Sequence, residues 1–243
     1  MRLRHFYLMT GLATLTLGTT LPASALIVQG SGSGIAMPSV VSNALGRWGG
    51  NAGAVAVASE WVLTTRHQDS LASPPNRTVV LDGSSYTALA SDPASVVNLN
   101  ADLRLVRIQN TDGSTANLTA TLDVYDGPTL TTGTALTLGG FGPGLGAASG
   151  ADGFAHAGAN NNTNPQRFGT NTLDAQGALD DPGTIYDTMG VLVADFDDIG
   201  ASESTVGPGD SGGVWLMNDG GTFKITGLTF AVDTPTGGAP AAF

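Results

Sequence analysis

The sequence predicts an all-β protein, built as a sandwich or a barrel. Glycine and proline, 35 and 12 of 243 residues, break helices, and no long run carries the apolar period of a helix. Short runs rich in Val, Ile, Leu and Thr, separated by turn clusters, take their place.

Residues 1–25 read as a segment for processing. "MRLRH" is a basic start, "FYLMTGLATLTLGTTL" an apolar middle, and "ASA" (Ala23 to Ala25) a small-residue cleavage site. The apolar part is too short, and too interrupted by Thr and Gly, for a comfortable membrane span. A secreted or periplasmic chain cleaved after Ala25 is expected, with an uncleaved anchor as the alternative.

Residues 26–50 read as Gly/Ser-rich extended chain. "AVAVASEWVLTTRHQ" (54–68) holds two apolar runs broken at Ala58 to Glu60. This predicts two strands joined by a tight turn, with His67 just past the second. "TVVLDG" and "SYTALA" predict a hairpin around Asp82 to Ser84. "ADLRLVRIQ" (101–109) alternates Leu103, Leu105 and Arg107 against Arg104, Val106 and Ile108. Both faces carry apolar residues, so one end should be buried on both sides. The polar stretch 110–130 is the candidate linker between two halves.

"TALTLGGFG" (134–142) is a strand ending in glycines. Residues 143–188 are poor in apolar content, and "GANNNTNPQ" reads as an exposed loop. "GVLVADF", "VWLM" and "FKITGLTFAV" are further strands, and the tail "DTPTGGAPAAF" reads as unstructured.

Charge and cysteine content bound the function. The formal net charge is −11 and becomes about −13 once Arg2 and Arg4 leave with the first segment. With no basic patch, the chain should repel nucleic acid and anionic membrane surfaces. There are no cysteines, which excludes disulfides, thiolate nucleophiles and Cys-ligated metals. A domain of this size buries a sufficient core without them.

The stretch "TVGPGDSGGVW" (205–215) raises the question of chemistry. Acyl transfer needs a hydroxyl nucleophile, a base, a group to orient the base, and N–H donors for an oxyanion. Glycines around Ser211 permit backbone geometries that a Cβ forbids. They let the N–H groups of Gly209 and Ser211 converge on one spot. In a glycine-rich chain this string alone is equally well a turn.

The 3 histidines narrow the choice. His5 leaves with the first segment, and His156 lies in the polar run "GFAHAGANNN", read as a solvated loop. His67 follows an apolar strand, a better place to hold a base. Asp102 heads an apolar run, where a buried carboxylate needs hydrogen bonds. An imidazole N–H would supply one.

"WVLTTRHQ", "NADLRLVRI" and "GPGDSGG" occur in that order, and together they resemble the trypsin-like (chymotrypsin-type) serine proteases. "TGTALTLGGFG" (132–142) resembles the strand opening that family's second barrel, and "ITGLTFAV" (225–232) the strand lining its specificity pocket. The resemblance implies two six-stranded-type antiparallel β-barrels with the active site in the cleft between them. It implies an N-terminal barrel over 26–120 with His67 and Asp102, and a C-terminal barrel over 121–243 with Ser211. Only eleven residues follow Val232, so the second barrel is expected to be incomplete, closed differently, or cut short.

Roles follow from the same resemblance. Ser211 attacks the scissile carbonyl, His67 moves the proton, Asp102 orients His67, and the N–H groups of Gly209 and Ser211 bind the oxyanion. Thr205 falls at the base of the substrate pocket, with Phe230, Ala231 and Val232 as its wall. A neutral threonine argues against Arg or Lys and for small or medium uncharged side chains, unless Asp233 points inward.

Asp210 matches an aspartate that pairs with a freshly cut N-terminal amine, and "IVQG" resembles the family's own start at Ile27. Cleavage after Ala25 leaves Leu26 in the way, so either a second trim occurs or another group satisfies Asp210. The histidine motif lacks the family's usual Cys, and Val214 stands where a Pro is usual.

The acidic run with Asp195, Asp197, Asp198 and Glu203 could suit Ca²⁺, but it lacks the spacing of a known loop and reads as solvated. No metal or cofactor is expected. The expected partner is a protein or peptide substrate, and the chain is expected to be a monomer. The rival reading is a non-catalytic, protease-like binding or surface protein.

Overall fold

The computed structural model describes residues 26–28, 34–49, 52–68, 77–99, 101–148, 154–157, 164–179, 189–196 and 202–231. The predicted cleavable segment, Asp197, Asp198, Val232 and the tail lie outside the described residues.

In chain order the elements are β1 (Ile27–Val28), α1 (Ser39–Ala44), β2 (Leu45–Trp48), β3 (Ala52–Ala58), β4 (Trp61–Thr65), β5 (Arg77–Leu81), β6 (Ser84–Ala88), β7 (Val96–Asn98) and β8 (Leu103–Asn110). There follow β9 (Ala135–Gly140), β10 (Gly144–Ala148), β11 (Phe154–Ala157), β12 (Arg167–Thr172), β13 (Ala175–Leu179), β14 (Met189–Val193), β15 (Ser204–Thr205), β16 (Val214–Asp219) and β17 (Thr222–Leu228). The protein is all-β, as composition predicts.

The first half is a closed antiparallel barrel. Its strands run β4-β3-β2-β5-β6-β8, with β7 added on β8, and the pairing of β4 with β8 shuts the ring. Closure removes the exposed edges that an open sheet would leave. The predicted hairpin at Asp82 is present: Asp82 and Gly83 have φ of 48° and 72°, the left-handed pair that a two-residue turn matching strand twist requires.

Strand β3 departs from simple alternation. Ala52, Ala54, Val55 and Ala56 are all buried, because one face lines the barrel and the other meets the second half. In β8, Arg104, Val106 and Ile108 are buried whereas Arg107 is exposed. Inside, Arg104 donates its Nε to Asn98 Oδ1 at 2.9 Å.

The region 26–50 is not all extended. After Pro38 the chain makes a short helix, α1, whose Val41 and Ala44 share a buried face, and then enters β2. Residues 26–28 also part from the first barrel. Strand β1 pairs with β15, Ile27 opposite Thr205 and Val28 opposite Ser204.

The second half centres on the antiparallel sheet β12-β9-β16-β17, with the pairs β10-β11, β13-β14 and β1-β15 around it. One apolar core fills the first barrel and runs into the second half through Phe141, Phe168, Val214, Leu216 and Ile225. A second, smaller core joins Leu26 and Val28 to Leu136, Leu138, Leu173, Val206 and Trp215. The stretch 111–134 between the halves has turns and single bridges, as its composition predicts.

Candidate active site

Strand register brings His67 and Asp102 together. Antiparallel pairing of β4 and β8 sets Thr65 opposite Leu103, so the residues just past Thr65 face those just before Leu103. Arg66 N donates to the Asp102 carbonyl at 3.3 Å, and His67 N donates to Asp102 Oδ1 at 2.9 Å. The imidazole Nδ1 is bonded to Asp102 Oδ2. A carboxylate oxygen accepts, so Nδ1 carries the hydrogen and Nε2 presents its lone pair. Asp102 is 1% exposed, so these bonds replace the water that it lost. Arg66 Nη1 adds contacts of 3.4 Å to the carbonyls of Leu99 and Ala101, which brace the approach to Asp102.

Ser211 reaches the same imidazole from the second half. Its Oγ lies 2.9 Å from His67 Nε2, and Gln68 Nε2 also lies 2.9 Å from that nitrogen. Gly53 on β3 donates its N–H to the Ser211 carbonyl at 2.7 Å. The Gly53 carbonyl in turn accepts from Thr64 Oγ1 at 2.7 Å. The first barrel therefore holds both the histidine and the backbone of the serine.

The loop 207–213 needs its glycines. Gly209 has φ of 96° and Gly212 of 76°, conformations that side chains rarely adopt. Among the described residues no acceptor is bonded to the N–H of Gly209 or of Ser211. Two such N–H groups beside a serine hydroxyl are of the kind that can bind an oxyanion.

Asp210 is fully buried, and its side chain turns away from Ser211 into the second half. Gly142 N donates to Oδ1 at 2.7 Å and Gly207 N to Oδ2 at 2.9 Å. A Cβ on Gly140 would lie 2.1 Å from Oδ1, so glycine is required at that approach. Burial pushes the Asp210 carboxyl up to about 6, against the lowering effect of backbone bonds from Gly142, Gly207 and Phe141. Backbone amides thus reach both carboxyl oxygens of Asp210. Ile27 is engaged instead with Thr205 on β15.

A cavity of about 160 Å³ adjoins the site, lined by Asp102, Leu103, Met189, Trp215, Phe230 and Ala231 among others. Phe230 and Ala231 line this cavity. Thr205 is 4% exposed and is not among the lining residues. A larger cavity of about 310 Å³ between the halves, near Leu63, Tyr125, Leu130 and Ile225, contains none of Asp102, His67 and Ser211. His156, read from sequence as a loop residue, sits on β11 opposite Leu145. Its neighbours "FAHA" alternate weakly, which hid the strand.

No protein-family model matches the chain, and no curated protein sequence matches it. Solved structures do. A protease named Rv3671c, in an inactive form, aligns with a TM-score of 0.50 at 14% identity, over 87% of this chain and 88% of that one. An inactive serine-to-alanine variant of Rv3671c from Mycobacterium tuberculosis H37Rv gives 0.51 at 13% identity, over 86% and 88%. A serine-to-alanine variant of the HtrA-type protease AlgW with a tripeptide gives 0.52 at 16% identity, over 84% of this chain and 57% of that one. This is the trypsin-like double-barrel fold.

Within the trypsin-like fold, several contacts at the site have no motif in the sequence. Gly53 is one of many glycines, and nothing before the pairing of β3 with β4 marks it. Met189, whose Sδ accepts weakly from Asp102 N at 3.5 Å, comes from the second half. Gln68 was visible only as the residue that replaces the family's cysteine.

Proposed function

We propose that the chain is an exported serine endopeptidase that cleaves peptide bonds through an acyl-enzyme. The single observation that carries this reading is the unbroken run of contacts from Asp102 through His67 to Ser211. In the reading, Ser211 Oγ attacks the scissile carbonyl carbon while its proton passes to His67 Nε2. Asp102 fixes the tautomer and steadies the imidazolium that forms. The tetrahedral oxyanion lies against the N–H groups of Gly209 and Ser211. As it collapses, the proton moves from Nε2 to the leaving amine and the C–N bond breaks. Water then repeats the sequence on the acyl-enzyme and frees Ser211. None of these steps calls for a metal or cofactor.

The apolar lining beside Asp102, with Trp215, Phe230 and Ala231, favours small or medium uncharged side chains in the substrate. Export rests on the basic, apolar and small-residue succession of residues 1–25.

A fluorophosphonate probe tests the reading. Folded, processed protein is expected to react, with no reaction in Ser211→Ala and a large drop in His67→Ala. Folded protein that does not react would instead be a protease-like binding protein.

A further inference from the structure

Neutral imidazole has one lone pair at Nε2, lying in the ring plane. Two groups stand at hydrogen-bond distance from it: Ser211 Oγ and the Gln68 carboxamide, each at 2.9 Å. With Nδ1 donating to Asp102, Nε2 accepts, so Gln68 faces it with its NH2 group. One lone pair cannot point fully at two donors. The carboxamide therefore draws part of the base away from the serine. Among the described residues its side chain has no other hydrogen-bond partner. Among the described residues the partner of this half-buried amide is the nitrogen that would handle the proton.

Resting on the protease reading above, we propose that Gln68 is a further catalytic residue. Its carboxamide holds the Nε2 lone pair of the free enzyme, and during turnover it contacts the leaving amine and then the hydrolytic water. In acylation the Oγ–H bond breaks, the Oγ–C bond forms, and the proton goes to Nε2. The C–N bond then breaks as that proton passes to the leaving nitrogen. This nitrogen must come within hydrogen-bond distance of Nε2, where the carboxamide already stands. Gln68 has to yield to it and remains beside it. A carboxamide carries a donor and an acceptor on one planar group, so it can bond to the amine and later to the water.

The test compares two reactions in Gln68→Leu. One is modification by a small fluorophosphonate, which needs the base but expels fluoride and no amine. The other is hydrolysis of a peptide amide, which needs the amine and water to be placed. Modification is expected to speed up, because Ser211 gains the whole lone pair. Amide hydrolysis is expected to slow down. Each change should lie between about twofold and tenfold, the range of one ordinary hydrogen bond. Gln68→Asn, whose shorter amide does not reach Nε2, should show the same opposed signs. Rates that fall together, rise together or stay unchanged overturn the proposal.

Failure of the protease reading is separately visible, as absence of Ser211-dependent modification in the unsubstituted protein. The contact is still measurable in that event by the ¹⁵N resonance of His67 Nε2. On a Ser211→Ala background, where no hydroxyl competes for Nε2, that resonance should move toward a non-bonded imine nitrogen in Gln68→Leu, and an unmoved resonance overturns the proposal.

Discussion

Gly53 donates its backbone N–H to the carbonyl of Ser211 at 2.7 Å, across the boundary between the two halves. The approach is so close that side chains are excluded on both sides. A Cβ on Gly53 would lie 2.5 Å from the Gly212 carbonyl oxygen, and one on Gly212 would lie 2.1 Å from that of Gly53. Gly53→Ala should push the serine loop away from His67. A displacement near 1 Å costs roughly 10² in rate. The expected outcome is that loss in fluorophosphonate reaction with the fold retained by circular dichroism. An unchanged rate would mean that β3 does not position Ser211.

The oxyanion donors give a second expectation. Gly209 has φ of 96°, so Gly209→Ala forces a strained conformation or a turned peptide. A turned peptide would aim the Gly209 N–H elsewhere, and one lost donor costs roughly 10² to 10³ in kcat. Peptide-substrate kinetics check this. Because the donor acts on the oxyanion and not on the bound substrate, kcat should fall while KM holds.

Asp102 is bonded twice to His67, through the backbone N–H and through Nδ1. Asp102→Asn keeps the shape but presents an NH2 or a weaker acceptor to Nδ1, which favours the wrong tautomer. The expected loss in kcat is roughly 10⁴, the factor known for Ser-His-Asp triads in general. A loss below tenfold would count against His67 as the base.

The fold class was legible because its cause is local. Frequent Gly and Pro between short apolar runs leave little besides short strands, and "LDG" specifies the turn at Asp82 and Gly83. His67, Asp102 and Ser211 were legible because their motifs are short and carry unusual residues. What the sequence hid is long-range. The contact of Gly53 with Ser211 joins positions far apart in the chain, and only the packing of β3 against the serine loop makes that glycine special. Helix α1 was hidden because its apolar face is just Val41 and Ala44, too brief for a period. The placement of β1 was hidden for a different reason. Its two residues fit any strand, and their partner, Thr205, is chosen by the shape of the second half.

The N-terminal strand bears on maturation. Leu26, Ile27 and Val28 are buried to 0%, 0% and 1% exposure, and Leu26 and Val28 pack with Trp215 and Val206 near the serine loop. Asp210, however, takes its hydrogen bonds from Gly142 and Gly207. A chain beginning at Leu26 and one carrying extra residues before it should therefore react with fluorophosphonate at the same rate. Ile27→Asp should instead destabilise the second half, since an unpaired buried charge has no compensation there. Reaction confined to chains beginning at Ile27 would restore an amine as the partner of Asp210.

Asp210 also sets a pH dependence of stability. Its carboxyl rises from an ordinary 3.8 to about 6 in the folded protein because burial disfavours the charge. The native state therefore binds this proton more tightly than the unfolded chain does, so protonation favours folding. The benefit is complete below about pH 4 and is lost as pH rises through about 6. The shift corresponds to about 3 kcal/mol. Asp210→Asn removes the titration while keeping the size of the side chain. Urea unfolding of both proteins on a Ser211→Ala background, which prevents self-cleavage, isolates this group. The stability of the aspartate protein relative to the asparagine variant should fall by about 3 kcal/mol between pH 3 and pH 7. A difference that stays level, or rises with pH, would mean that the amides of Gly142 and Gly207 outweigh the burial of the charge.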